Sequence, residues 1–486
     1  MRWFCAPWAS SVCPARFCEV ESVTTQAHPR GKLFRRGDRE LPDEHRLEFL
    51  DHAALELMRA TGRNQLMQCV WVYERPLDRE GLERFHHNLY TSLGSRLIER
   101  SPLAFGRPRW VRPVNPPPPI HFADHPRPRA ELMDWADELA KLPIDPETGP
   151  GWHLAVQPLL DGSTAVSIVA SHVIGDGAGA LMAVFEAVTG SIRNPGYDQP
   201  GTRTRGEAIR ADLRQALRDV PLTIRTAVKA LKMYRAKRDD FARARAAQDS
   251  TAHGEHVVVP SIAIYVDVAQ WDARAASLGG NSYSLLAGFS AKLAEHLDRR
   301  RPADGAVTLS IAINLRESLD DDRALAMAFA SATVDPEKVT VDLTESRTAV
   351  RVAREKAKNE PDPTMELFAL IPWLPRKAVK GMADLLFSYS EDLPVSCSNL
   401  GDLPPDLARV DGTPADNVFI RALDTDVTMG ELERSHGQLV VVSGRINGKI
   451  SISVEAYQLG GKNTHESLRE LAERTLDEFG LTGQID

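Results

Sequence analysis

The sequence contains no uninterrupted apolar run approaching the ~20 residues that a membrane-spanning helix needs, which excludes a helical integral membrane protein. Its opening, Met1-Arg-Trp-Phe-Cys-Ala-Pro-Trp, is broken by Pro7 and has no apolar h-region, so no secretory signal is expected and the expected location is cytoplasmic. Cysteine is scarce, with five in 486 residues, and three of them fall early at Cys5, Cys13 and Cys18. These are too few and too scattered for a disulfide framework. The Cys13 to Cys18 spacing has no matching pair, so free thiols and no metal are expected. Basic residues are outnumbered, the net charge is −8 and no nucleic-acid-binding motif is present, so nucleic acid is not an expected partner. There is no internal repeat of fixed period.

At 486 residues with 43% hydrophobic content the chain exceeds one ordinary domain and can fill sizeable cores. Residues 1–40, rich in Arg, Pro and small residues, read as a disordered extension. Residues 41–195 read as a first lobe. In it Asp78 can cap a helix with Leu82, Phe85, Leu89 and Leu93 on one face, and Asp161-Gly162 can join two strands as a hairpin. Residues 196–255 read as a basic helical connector, with two amphipathic helices over 203–247 broken at Pro221. Ile209, Leu213 and Leu217 line one; Ile224, Val228, Leu231 and Phe241 line the other. Residues 256–486 read as a second lobe, with strand-like Val257-Val-Val and Ile262 to Val266. Asp267 caps a helix there, and Asn447-Gly448 gives the strongest hairpin signal in the chain. Helices and hairpins intermix in both lobes, which predicts an α/β fold with mixed sheets rather than a barrel.

The most informative stretch is His172-Val-Ile-Gly-Asp176-Gly177. Before it, Thr164 to Ser171 has the β-branched content of a half-buried strand; after it, Leu181, Val184, Phe185 and Val188 recur at helical spacing. An imidazole is thereby placed at a strand-to-helix turn. A partly shielded, neutral His172 can take a proton from a hydroxyl or amine near neutral pH. Asp176 is within reach of either the imidazole or a distant arginine, and Gly177 and Gly179 permit a tight turn and close approach. The same glycines also fit GxGxxG/A from Gly175 to Ala180, a dinucleotide fingerprint. That reading requires a second parallel strand bearing an acid about 20 residues on, where the sequence instead offers the loop Asn194 to Pro200.

In this context the chain resembles the CoA-dependent acyltransferase superfamily. That group includes chloramphenicol acetyltransferase, peptide-synthetase condensation domains, wax ester synthase/diacylglycerol acyltransferases and polyketide-associated mycobacterial acyltransferases, the last two being the most similar. Its shared motif is HHxxxDG; here the first histidine is Ser171, while His172, Asp176 and Gly177 match. Phe49-Leu-Asp51, Pro143-Ile-Asp145, Gly149-Pro-Gly-Trp152, Asn281-Ser-Tyr-Ser, Ile313-Asn314-Leu-Arg316 and Ser398-Asn399-Leu-Gly401 resemble further family segments in family order. The resemblance implies a two-lobed chloramphenicol acetyltransferase-like fold with a channel between the lobes and His172 as general base. It also implies Asp176 paired with Arg316 in a structural role, and direct attack of the acceptor without an acyl-enzyme. The implied donor is a long-chain acyl-CoA or acyl-carrier phosphopantetheine thioester, the acceptor a hydroxyl or amine, and no other cofactor is called for. Ser398, Asn399 and the Gly401 backbone are candidates for donor or oxyanion binding, with a polar strand-to-loop turn as the alternative.

Two further readings follow. Ser171 in the place of histidine is compatible with a module that binds acyl thioesters or lipids without turning them over. The basic faces of the 203–247 helices, with Arg210, Arg214, Arg218, Lys229, Lys232, Arg235, Lys237 and Arg238, are a solvated face or a contact for an anionic membrane surface or an acyl-carrier protein. Among other histidines, His86-His87 read as an exposed helix pair, and His153, His296 and His436 lack metal spacing.

Overall fold

The computed structural model describes residues 45–486 apart from 93, 95, 237–253, 319, 361–364, 380 and 382–391. The expected extension at 1–40, Cys5, Cys13, Cys18, Leu93, Lys237, Arg238 and Phe241 lie outside the described residues.

The first half runs α1 (Phe49–Thr61), β1 (Gln65–Tyr73), α2 (Arg79–Thr91), β2 (Leu97–Glu99), β3 (Arg109–Val111), β4 (His121–Phe122), α3 (Leu132–Ala140), β5 (Trp152–Pro158), β6 (Thr164–Ser171), α4 (Gly177–Thr189) and α5 (Arg205–Ala236). The second half runs β7 (Ser261–Asp267), α6 (Val268–Ser277), α7 (Ser282–His296), β8 (Val307–Asn314), β9 (Met327–Val334), α8 (Thr344–Asn359), β10 (Val395–Asp402), β11 (Asn417–Asp424), α9 (Met429–Arg434), β12 (Gln438–Ile446), β13 (Lys449–Tyr457), α10 (His465–Glu478) and β14 (Gln484–Ile485). The two large sheets are ordered β11-β1-β6-β5-β4 and β14-β7-β13-β12-β10-β8-β9.

Two-residue alternation divides β1 between two cores. Cys69, Trp71 and Tyr73 pack with α1, α2 and α4, whereas Leu66, Val70 and Val72 pack with α3 and with Ala263 and Tyr265 of β7. The second of these cores therefore joins the two lobes. In the larger sheet, Ile264, Leu309, Val395, Val441 and Ile452 meet Trp271, Phe289 and Phe479 on the helical side. The opposite side of the same strands carries Ser310, Ser396, Ser398, Ser451 and Ser453, the alternate positions of the pleat.

Several expected local elements are present. Asp78 accepts from Gly81 N and starts α2; Asp267 accepts from Gln270 N and starts α6. Asn447 and Gly448, at φ 51° and 76°, form the two-residue turn that pairs Ile446 with Lys449. β5 and β6 pair antiparallel across the Asp161-Gly162 turn.

Three expectations change. Residues 205–236 form one helix rather than two, with Pro221 inside it. Pro221 is exposed, so the carbonyl deprived of its partner lies on the wet side and water can satisfy it. Val257-Val-Val is not a strand: the segment makes only a bridge at His256 and a hydrogen bond from Val257 N to Val427 O before Pro260. Finally, β11, which follows the second-lobe segments in the chain, pairs antiparallel along the whole of β1 and completes the first sheet. Its Arg421 is buried and reaches Gln68 of β1, Asp137 of α3 and Ser261 of β7, which pins this crossing strand to both lobes.

Candidate active site

β6 is held in register on both sides, by β1 and by β5, and ends at Ser171, so the backbone position of the next residue is fixed by a central strand. A single 3-10 turn, His172–Ile174, follows, and Asp176 then caps α4 by accepting from Gly179 N at 2.8 Å. The strand-to-helix turn expected from the sequence is therefore present. Ser171, fully buried, donates to Asn64 Oδ1 at 3.0 Å and accepts from Val173 N at 3.3 Å.

His172 keeps some accessible surface although protein encloses it, and this burial holds its ring below the usual histidine range. The Asp176 and Asp424 carboxylates pull the other way, less strongly. When neutral, the ring carries one nitrogen without a proton, and that nitrogen can accept one.

Asp176 is turned away from the imidazole. Both carboxylate oxygens accept from Arg316 Nη1, at 2.7 and 2.8 Å, and Oδ2 also accepts from Ala326 N at 2.8 Å. Both side chains are almost wholly buried. Arg316 follows β8, so this pair fastens the motif turn to a loop of the second sheet. Arg316 Nη2 also donates to the carbonyls of Arg323 and Ala324, and Asp176 N donates to Ala324 O. Gly179 explains itself here, because a Cβ at that position would lie 3.0 Å from Arg316 Nη2. Gly177 opens α4, and a Cβ on it would touch Leu400 at 3.4 Å, which brings the Ser398 to Gly401 segment beside the motif.

Within that segment Asn399 Oδ1 accepts from Gly401 N at 2.8 Å, and the β10–β12 register shifts after Asn399. Gly401, at φ 74°, takes a left-handed conformation that favours glycine, and a Cβ there would meet the Tyr283 hydroxyl at 3.3 Å. Asn399 thus serves its own turn, while Ser398 is only partly buried.

Three supporting residues were not among the candidates. Asn64 holds the Ser171 hydroxyl. Arg96, buried over the Trp110 ring, donates to Ile174 O in the motif turn, to the Tyr197 hydroxyl and to Asp322 O. Asp51 accepts from Leu325 N, and burial pushes its carboxyl up to about 7. The loop after β8 is therefore gripped by Asp176, Arg96 and Asp51 together. Only Asp51 had a sequence signal, through Phe49-Leu-Asp51; nothing local marks Arg96 or Asn64.

A cleft of about 410 Å³ lies beside the motif, lined by Arg96, Gly151, Trp152 and several prolines, with His172 not among its lining residues. His86 is half-buried rather than exposed, its ring against the Pro118 carbonyl and Trp152, whereas His87 is exposed. His153 is buried on Leu139 O and His296 pairs with Glu478. Among the described residues no cluster of His, Cys, Asp or Glu is arranged to hold a metal. The dinucleotide reading is overturned: both neighbours of β6 run antiparallel to it, and α4 leads to a loop and then α5, not to a parallel strand.

No family model matches the sequence, and no curated protein matches it. Solved structures do match. The first condensation domain of the calcium-dependent antibiotic synthetase, in complex with a substrate analogue, aligns at TM-score 0.52 and 13% identity over 90% of this chain and 96% of that one. Trichothecene 15-O-acetyltransferase from Fusarium sporotrichioides aligns at TM-score 0.52 and 11% identity over 89% and 94%. The wax ester synthase/diacylglycerol acyltransferase from Marinobacter aquaeolei VT8 aligns at TM-score 0.51 and 14% identity over 89% and 98%. The chain thus has the two-lobed α/β fold that condensation domains share with the CoA-dependent acyltransferases.

Proposed function

We propose that this protein is an acyltransferase that moves an acyl group from a thioester, acyl-CoA or an acylated phosphopantetheine arm, to a hydroxyl or amine acceptor. The observation that carries this is the placement of His172: an imidazole enclosed by protein yet keeping some accessible surface, at the turn that ends a central strand, where burial lowers its pKa and so favours the neutral ring with its one unprotonated nitrogen. In the reaction that nitrogen removes the acceptor's proton as the acceptor oxygen or nitrogen bonds to the thioester carbon. The C–S bond then breaks, and the imidazolium returns the proton to the departing thiolate. Direct attack needs no acyl-enzyme. Asp176 is committed to Arg316 and to two backbone N–H groups, so its part is to hold the turn and not to relay charge. Ser398, Asn399 and Gly401 stand as the donor- or oxyanion-binding candidates; because the Gly401 N–H is given to Asn399 Oδ1, the Ser398 hydroxyl and the Asn399 side-chain N–H are the groups to meet an oxyanion, and the scale of that contribution elsewhere is about 3–4 kcal/mol.

The binding-module alternative drew on the serine that replaces the motif's first histidine. Ser171 is packed and hydrogen-bonded to Asn64, so that substitution alters a supporting position and leaves the base untouched. Thiol release from acyl-CoA, measured with and without a long-chain alcohol, separates the two readings. Acceptor-dependent release that falls by roughly 10²–10⁴ in His172→Ala supports the base. Release that survives the substitution removes His172 from the mechanism, and none in the wild type leaves a binding module.

A further inference from the structure

Helix α5 is amphipathic with its aliphatic side outward. The face against the body is small or polar: Ala208, Asp212, Ala216 and Thr226 are buried, Asp212 pairs with Arg46 at 2.8 Å, and Asp219 pairs with Arg107 at 3.2 Å. Meanwhile Leu213, Leu217, Ile224, Val228 and Leu231 are between 45% and 64% exposed. Their spacings of four, seven, four and three residues place all five on one stripe. The apolar face read from the sequence pattern is therefore turned to solvent at these five positions.

All five aliphatic positions are followed directly by a base, in Leu213-Arg214, Leu217-Arg218, Ile224-Arg225, Val228-Lys229 and Leu231-Lys232, of which Lys229 pairs with Glu366. One residue is about 100° of helix, so a basic row runs beside the apolar one along a helix about 48 Å long. Arg214, Arg218, Arg225 and Lys232 are exposed, and none forms an ion pair among the described residues. The helix's acids other than Glu207 face the body. Trp373, which ends the 3-10 segment packed on α5 through Glu366 and Lys229, is 40% exposed and stacked on Phe105.

From this we infer that α5 is an interfacial helix by which the protein docks on an anionic phospholipid bilayer. The aliphatic side chains can enter the headgroup boundary while the adjacent basic row meets lipid phosphates. The length of the stripe, carried on a 32-residue helix, suits an extended bilayer surface. A second copy is disfavoured by charge, since two-fold pairing sets this surface against itself and arginine against arginine. The site is separate from His172, and binding is read without turnover, so its failure would leave the acyl-transfer reading standing.

The test is co-sedimentation of the full chain with phosphatidylcholine vesicles, with and without about 30 mol% phosphatidylglycerol, as NaCl rises from about 0.05 to about 0.5 M. Binding confined to the anionic vesicles and weakened by salt is expected. Arg214→Glu, Arg218→Glu and Arg225→Glu should each weaken it by at least about fivefold. Leu217→Ser, Ile224→Ser and Val228→Ser should each cost on the order of tenfold, with thermal melts unchanged because all six positions are at the surface. Equal binding to neutral vesicles, no binding, or binding indifferent to both sets of variants would overturn the proposal. So would a dimer dissolved by the serine variants, or capture of an acidic acyl-carrier protein in place of vesicles. Should a variant fail to fold, the salt and lipid dependence of the unaltered chain decides.

Discussion

Removing the Asp176 carboxylate should unfasten the lobes as well as the motif. In Asp176→Ala the buried Arg316 guanidinium loses its counter-charge, Ala326 N–H loses its acceptor and α4 loses its cap. An uncompensated buried charge costs about 3–5 kcal/mol. Arg316 retains the Arg323 and Ala324 carbonyls, which places this share at the lower end, about 3 kcal/mol. The lost cap adds about 1 kcal/mol and the orphaned amide about 1–3, but the three share one centre and do not sum freely. A total of about 4 kcal/mol is a large part of the 5–15 kcal/mol that typically holds a protein folded. Urea unfolding followed by tryptophan fluorescence reads this as a lower midpoint with unchanged slope. The double variant Asp176→Leu with Arg316→Met should recover a good part of the loss, because it removes the charge along with its partner. An Asp176→Ala protein that is inactive yet unfolds within about 1 kcal/mol of the wild type would refute the structural role and return Asp176 to the chemistry.

Other outcomes are expected on the same grounds. Because burial lowers the His172 pKa, the neutral base persists to lower pH than a free histidine allows. The acid limb of kcat/KM should therefore fall below pH 6.5, and a limb at or above 6.5 would contradict the enclosure of the ring. Restoring the family histidine, Ser171→His, should destabilise by about 1–3 kcal/mol without raising kcat, because the site is packed and its hydroxyl is tied to Asn64; a gain in kcat would show that Ser171 does reach the chemistry.

The local features of the chain were legible because their causes are local. Asp78, Asp267 and Asn447-Gly448 fix caps and a turn through the backbone of their own few residues, and the apolar run into His172 forces a strand to end there. The resemblance supplied the Asp176 and Arg316 pair and the two-lobed fold, which no spacing argument yields for residues so distant in sequence. Other matters were decided only by the tertiary structure: that Ser171 faces Asn64, that Arg96 and Asp51 grip the loop after β8, that β11 returns to the first sheet, and that the aliphatic stripe of α5 faces out. The physical reason is the same in each case. A hydrophobic period states that a face is apolar but not what it meets, and a polar side chain acquires its role from the group that folding sets opposite it.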